Sequence, residues 1–228
     1  MKRDLAPPAD GAILVPAGVI SAIRATDAAG KRFELRVGDA LATVSAGLIA
    51  EYHLAAGRTI GTADAEALSR AVGRLRVFDR AVGLLALRAR SARDLRTALR
   101  RRGATAGDCQ AVIEELVGLG LLDDQAYARA VAHGRVSSSG MSRRRVTQVL
   151  ARKGVDPRVA DEAAREAFEG VDETEAAMEV AAKRLRSMEK LDVAARRRRL
   201  HAFLARRGFS SDVVRRVLAR LLRGTQED

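Results

Sequence analysis

The sequence predicts a mainly α-helical protein: an elongated tandem array of three three-helix repeats, of the right-handed helical-repeat type, behind a small α/β module with a β-hairpin. Three observations predict it. The stretch Ala89–Gly103, ARSARDLRTALRRRG, reads as one short helix with marked ends. Its pattern of an apolar pair four apart, a basic pair and a glycine returns twice, as Val146 and Leu150 before Arg152-Lys153-Gly154 and as Leu200 and Leu204 before Arg206-Arg207-Gly208. β-rich runs stand early in the chain, and no strand signal appears from Arg76 onward. Recurrence at intervals of 51 and 54 residues marks structural units.

Residues 1–12, with Pro7-Pro8, read as a polar tail, and 13–75 as the α/β module. Val19–Thr26 and Arg32–Val37 form a hairpin around Asp27-Ala28-Ala29-Gly30-Lys31. Phe33, Leu35 and Val37 alternate with Arg32, Glu34 and Arg36, so one face is buried and the other wet. Ala40–Val44 is a third strand, and Ser45 caps a helix through about Tyr52. Thr62 starts a second helix with Leu68, Val72 and Leu75 as its core stripe.

The first repeat, 76–122, opens with a helix carrying Val77, Ala81, Leu84, Leu85 and Leu87. Ser91 and Asp94 start the next helix, with Leu95 and Leu99 on one face. Arg100, Arg101 and Arg102 fill its last turn, where the helix dipole favours cations, and Gly103 supplies the left-handed exit. Thr105 caps a third helix whose core face is Val112, Ile113, Leu116 and Val117. The second repeat, 123–170, has Tyr127 and Val131 on its first helix and Ser137-Ser138-Ser139-Gly140 as a flexible connector. Ser142 caps its second helix, and Asp156 with Pro157 opens its third. The third repeat, 171–228, is marked by Ala176, Val180 and Leu185, a second helix from about Asp192, and Ser210 as the last cap. Two places after each repeated glycine stands a good N-cap: Thr105, Asp156 or Ser210. Nine and ten places after stand Val112-Ile113, Ala163-Ala164 and Val217-Leu218.

A formal net charge of +12 and a pI near 11.0 point to polyanionic partners. Residues 1–75, tail and module together, carry a net +1, and the three repeats carry +4, +2 and +5. One cysteine, Cys109, permits no disulfide framework and suits a reducing cytoplasm. The apolar run Gly11–Ile23 is broken by Pro16 and too short to span a bilayer. His53, His133 and His201 have no metal-ligand spacing, and no phosphate loop or nucleophile motif appears. The chain is therefore read as no enzyme, with no catalytic residue, metal or cofactor. Asp123-Asp124 reads as a helix start.

The candidate binding residues are the basic ones on the repeats: Arg90, Arg93, Arg100, Arg101, Arg102, Arg143, Arg144, Arg145, Arg152, Lys153, Arg196, Arg197, Arg206 and Arg207. Solvated helix faces and dipole complementation account for part of such clusters; a basic strip following a charged groove is the functional reading. With 3% aromatics and no tryptophan, stacking of single-stranded bases is excluded as the main mode. A helix-turn-helix transcriptional regulator is the alternative.

The residues also resemble a known family, the RecX regulatory proteins, which restrain the RecA recombinase in bacteria. The resemblance lies in Ala89-Arg90-Ser91…Leu95…Leu99…Arg102-Gly103 and in Gly120-Leu121-Leu122-Asp123-Asp124…Tyr127-Ala128. It continues in Arg144…Leu150…Lys153-Gly154-Val155 and, more loosely, in Ala181…Leu204…Arg207-Gly208-Phe209. The N-terminal module is similar to that of longer members at Ile20…Ile23, Phe33–Val37, Leu54 and Gly57. Two places depart from the family pattern: Val131 stands near its usual aromatic, and Ser138-Ser139-Gly140-Met141 replaces its basic approach to the second-repeat helix. The resemblance implies a non-enzymatic, cytoplasmic, monomeric modulator lying in the groove of the RecA–DNA filament. It would inhibit ATP hydrolysis, strand exchange and co-protease activity in recombinational repair and the SOS response, with weak, non-specific DNA binding and no membrane partner.

Overall fold

The computed structural model describes residues 14–27 and 30–223. The expected tail, 1–12, and the hairpin alanines 28 and 29 lie outside the described residues. The chain clusters into two compact bodies, one made of the residues through 89 with 95–122, the other of 90–94 with those from 123 onward.

The first body begins with a four-stranded antiparallel sheet. Strands β1 (Gly18–Ala25), β2 (Arg32–Val37), β3 (Ala40–Ser45) and β4 (Thr59–Ile60) lie in the order β3-β2-β1-β4. The hairpin is present, with Ile23 opposite Leu35 and Ala25 opposite Phe33. The short β4, which pairs Gly18 with Ile60, adds to the expected three strands. Ser45 caps α1 (Ala46–Glu51) by accepting from the Leu48 N–H. Ile20, Leu35, Val37, Val44, Ile60, Leu68 and Val72 form the core under the sheet. Ser69 ties that core shut, accepting from the Val15 N–H at 3.0 Å and donating to the Val15 carbonyl at 3.2 Å.

Two helices were the expectation between Thr62 and Leu87; there is one, α2 (Thr62–Leu87), 26 residues long. No proline interrupts it, and Gly73 and Gly83 each cost only about 1 kcal/mol. Its early turns bury Leu68 and Val72 under the sheet, and its later turns bury Val77, Ala81 and Leu84. Leu85 is half-buried and Leu87 is 80% exposed, so the expected stripe ends at Leu84. α3 (Ala92–Arg100) and α4 (Ala106–Gly118) follow, and α4 packs on α2. Leu95, Leu99, Cys109, Val112 and Leu116 are fully buried, each leucine contributing about 1.5–3 kcal/mol. Val117, expected on the core face, is 54% exposed, because its turn faces away from α2 once Ile113 and Leu116 are inside. Burial pushes the Cys109 thiol pKa up.

The second body holds α5 (Asp124–Ser139), α6 (Arg143–Arg152), α7 (Pro157–Ala167), α8 (Glu173–Leu185), α9 (Val193–Arg206) and α10 (Ser211–Arg223). The serine stretch 137–139, expected as a flexible connector, is the last turn of α5, which exits through Gly140 at φ 51°. Serine loses little as a helix former beside its neighbours, and the glycine alone suffices to end the helix. Ala128 and Ala132 of α5 share a core with Ala160, Ala163, Ala164 and Ala167 of α7, and these short side chains bring the two backbones close. Longer side chains fill the last repeat: Met188, Leu200, Leu204, Phe209, Val213, Val214 and Val217. Thr105, Asp156 and Ser210 accept from the N–H groups of Asp108, Arg158 and Val213. Gly103, Gly154 and Gly208 adopt φ of 85°, 80° and 85°, as the repeat pattern requires.

Candidate binding surface at the repeat junctions

Two junctions in the second body follow one plan: the C-terminal end of one repeat's second helix abuts the start of the previous repeat's second helix. At the first junction, Ser91 Oγ donates to the Lys153 carbonyl at the end of α6. The same oxygen accepts from the Asp94 N–H at 3.1 Å, as the sequence signal predicts. A Cβ on Gly154 would stand 2.5 Å from the Cβ of Arg93, so only glycine fits there. At the second junction, the Ser142 N–H donates to the Arg207 carbonyl at 3.0 Å, and Ser142 Oγ caps α6 by accepting from the Arg145 N–H at 3.3 Å. A Cβ on Gly208 would lie 2.7 Å from both Arg145 Cβ and Ser142 Oγ.

An acid from the following repeat completes each junction. Asp123 caps its own helix α5, accepting from the N–H groups of Gln125 and Ala126. Asp124 reaches instead to α3, where its Oδ1 accepts from the Ala92 N–H at 2.8 Å. Asp172 likewise caps α8, and Glu173 Oε1 accepts from the Arg143 N–H at 3.0 Å. Two free N–H groups at each helix start are thus satisfied, one locally and one from the next repeat. The cross-linking role of Asp124 and Glu173 is missed by the sequence reading. The available signal was the acidic pair opening the first helix of two successive repeats, Asp123-Asp124 and Asp172-Glu173.

The junctions gather basic clusters that are distant in sequence. Arg152 and Lys153 come beside Ser91 and Arg93, and Arg206 and Arg207 beside Ser142 and Arg145. Arg93, Arg143, Arg144, Arg152, Lys153 and Arg206 are exposed there. Other candidates have structural tasks. Arg90 pairs with Asp94 at 3.0 Å. Arg100 Nη1 donates to the Ala104 carbonyl at 3.0 Å and closes the end of α3. Arg145 is half-buried, with Nη1 on Gln148 Oε1 at 3.2 Å and Nε enclosed without a partner. Arg196 turns back to the carbonyls of Leu191 at 2.8 Å and Glu189 at 2.5 Å. Arg207 lies over the Phe203 ring, 4.3 Å from its centroid, with Nε enclosed and without a partner. Burial, and then Arg184 nearby, hold the Arg207 pKa below its ordinary value. Arg101 and Arg102 are exposed in the first body, where the Arg102 carbonyl accepts from Arg80, and Arg197 lines a groove in the third repeat.

Among the described residues no group of three or more His, Cys, Asp or Glu is placed to hold a metal ion. No described helix is long and apolar enough to cross a membrane.

A small antiparallel sheet followed by three helical repeats with helix-turn-helix-type second and third helices defines a class: tandem three-helix-domain proteins. Residues 78–116, 123–163 and 172–218 match the first, second and third three-helix domains of RecX. The chain is 37% identical to a regulatory protein RecX of Amycolatopsis mediterranei over 140 residues, covering 61% of this chain and 79% of that one. It is 35% identical to that of Prosthecochloris aestuarii, covering 64% and 94%. The chain belongs to the RecX family. A crystal structure of regulatory protein RecX shares the fold at a TM-score of 0.68 and 21% identity, over 88% of this chain and 98% of that one. The RecX crystal structure from Lactobacillus salivarius does so at 0.56 and 19%, over 66% and 97%.

Proposed function

We propose that this chain binds the RecA–DNA nucleoprotein filament through its junction surfaces and inhibits RecA ATP hydrolysis, strand exchange and co-protease activity. It acts as a cytoplasmic monomer, without catalytic chemistry of its own. The observation that carries this reading is the seating of α6 on the start of α3 and of α9 on the start of α6. It gathers Arg93 with Arg152 and Lys153, and Arg143 and Arg144 with Arg206. Family membership supports it too, since the matched relatives are named regulatory proteins. Arginine on short helices suits bidentate pairing with phosphates or carboxylates, and contacts with DNA phosphates carry no base sequence.

The test is RecA's single-stranded-DNA-dependent ATPase with this protein titrated in, alongside filament length by electron microscopy. Falling ATPase and shorter filaments at micromolar protein are expected; no change in either counts decisively against the reading. Reversing Arg100, Arg101 and Arg102 to Glu together tests the first repeat's contribution, with circular dichroism to check the fold. Sequence-selective DNA binding in the absence of RecA would instead favour a transcriptional regulator.

A further inference from the structure

The third repeat carries a groove of about 690 Å³ between α9 and α10 that none of the junction contacts uses. Its rim is cationic. Arg197, Arg198 and His201 project from α9 and are exposed, and no described acid pairs with them. Arg215 projects from α10 and is paired with Asp212 of its own helix, both side chains being more than 70% exposed. Its apolar side is formed by Val193, 41% exposed, and by the edge of Leu218, which is otherwise buried in the core of the repeat.

Internal comparison shows what is unusual about this face. Counted from the repeated glycines, His201 and Arg215 occupy the places of Arg96 and Gln110 in the first repeat. There the face is closed: Arg96 Nη2 donates to Gln110 Oε1 at 3.0 Å, and Gln110 Nε2 donates to Glu114 Oε1 at 2.6 Å. In the third repeat the amide and acid are replaced by Arg215 and Ala219, and the chain of hydrogen bonds is gone. A cross-helix latch has become an open groove bearing positive charge.

We propose that this groove seats an acidic amphipathic helix of a protein partner. Rim and floor ask for different things, and this occupant meets both. The guanidinium groups call for carboxylates, with Arg geometry favouring bidentate pairs. Val193 and Leu218 call for apolar side chains spaced to face one groove, as in helix-in-groove recognition. An apolar floor inside a polar rim is the anatomy of a protein interface. A nucleic-acid strand would satisfy the rim and leave the floor unused, and no Phe, Tyr or Trp lines the groove to stack successive bases. The inference goes beyond the filament reading and does not depend on which protein supplies the helix.

The experiment uses the full chain and a fluorescein-labelled peptide of about 18 residues, five helical turns, with leucine at i, i+3, i+4, i+7 spacing and glutamate elsewhere. Anisotropy titration is expected to give a micromolar Kd. Arg197→Glu with Arg198→Glu, and separately Val193→Asp, should each weaken binding by about tenfold or more, a loss well outside titration error. Both changes fall on exposed positions, and unchanged circular dichroism spectra establish that the fold persists. A polyglutamate peptide of equal length binding as tightly would remove the floor's role and overturn the proposal. So would displacement of the peptide by oligodeoxythymidylate, unchanged binding in the charge-reversed variant, or a dimer in sedimentation that Val193→Asp abolishes, which would assign the groove to a second copy. Because RecA is absent from this assay, failure here and failure of the ATPase test are separate results.

Discussion

At the first junction Lys153 lies exposed; at the second its counterpart, Arg207, is half-buried and stacked on Phe203. Both residues precede a glycine at φ near 80° and give their carbonyls to the start of the preceding second helix. The backbone plan is therefore shared, and the fate of the charge is decided by one neighbour. α9 offers an aromatic ring on the turn before the glycine, where α6 has Val149. A guanidinium gains by lying on that ring even as it loses water. Identical positions in a repeat thus separate into a displayed cation and a sequestered one.

The shared backbone plan is the most sensitive part of the comparison. Gly154→Ala and Gly208→Ala each place a side chain on a left-handed residue and drive a Cβ into the facing helix start. Each should lose about 2–4 kcal/mol, combining backbone strain with overpacking, measured by urea denaturation. Gly170→Ala is the control: at φ 71° with nothing within 4 Å, it should lose only about 1 kcal/mol. Equal losses at all three sites would mean that the junctions exert no steric demand.

The charge difference comes next in size. Arg207→Glu should destabilise by about 1–2 kcal/mol, through loss of the ring contact and half-burial of a carboxylate, with the nearby Arg184 offsetting part of the cost. Lys153→Glu should stay within about 0.5 kcal/mol, as exposed substitutions do. Matching losses would show that the contrast in burial has no energetic weight.

The cross-repeat acids give a smaller and more local effect. Asp124→Ala and Glu173→Ala each remove a carboxylate from a helix start, at a cost of about 1 kcal/mol. Hydrogen exchange should accelerate at Ala92 in the first variant and at Arg143 in the second, since those amides lose their acceptors. Acceleration at both sites in either variant would make the two junctions one cooperative unit.

These contrasts also measure what the sequence can carry. Ser91, Thr105, Ser142, Asp156, Asp192 and Ser210 are readable because a cap acts within a few residues of itself, and in the structure each accepts an N–H of its own helix. Asp124 and Glu173 act across 32 and 30 residues, and nothing local distinguishes an acid that caps its own helix from one that caps another. The same limit applies to the binding surface. Arg196 and Arg197 are neighbours in an unbroken arginine run, yet one folds onto backbone carbonyls and the other lines a groove. Helix phase separates them, and phase depends on where the helix begins. In α9 the cap is Asp192, one turn before the place that Ser142 occupies in its own repeat when both are counted from the glycine. That extra turn gives the last repeat a second helix of 14 residues against 10 in α6.

The weakest prediction isolates charge from hydrogen bonding at the second junction. Asp172 caps α8, one residue before Glu173, and the N–H groups of Thr174 and then Glu175 hold its carboxyl pKa below the ordinary value. A group whose folded pKa is depressed contributes stability above its unfolded pKa, and that contribution is lost as pH falls through the folded value. The contribution is therefore complete at neutral pH, begins to fall near pH 4, where an unfolded aspartate titrates, and vanishes below the lower folded value. Asp172→Asn preserves the cap, since asparagine is as good an N-cap, and removes the charge. The wild type should be the more stable of the two at pH 7, and the gap in urea midpoint should close as the pH is lowered through this window. Comparing the two proteins at each pH isolates what the charge at position 172 contributes. A gap that stays constant from pH 7 to pH 2.5 would show that the geometry of the cap, and not its charge, holds the start of α8 and with it the acid that reaches α6.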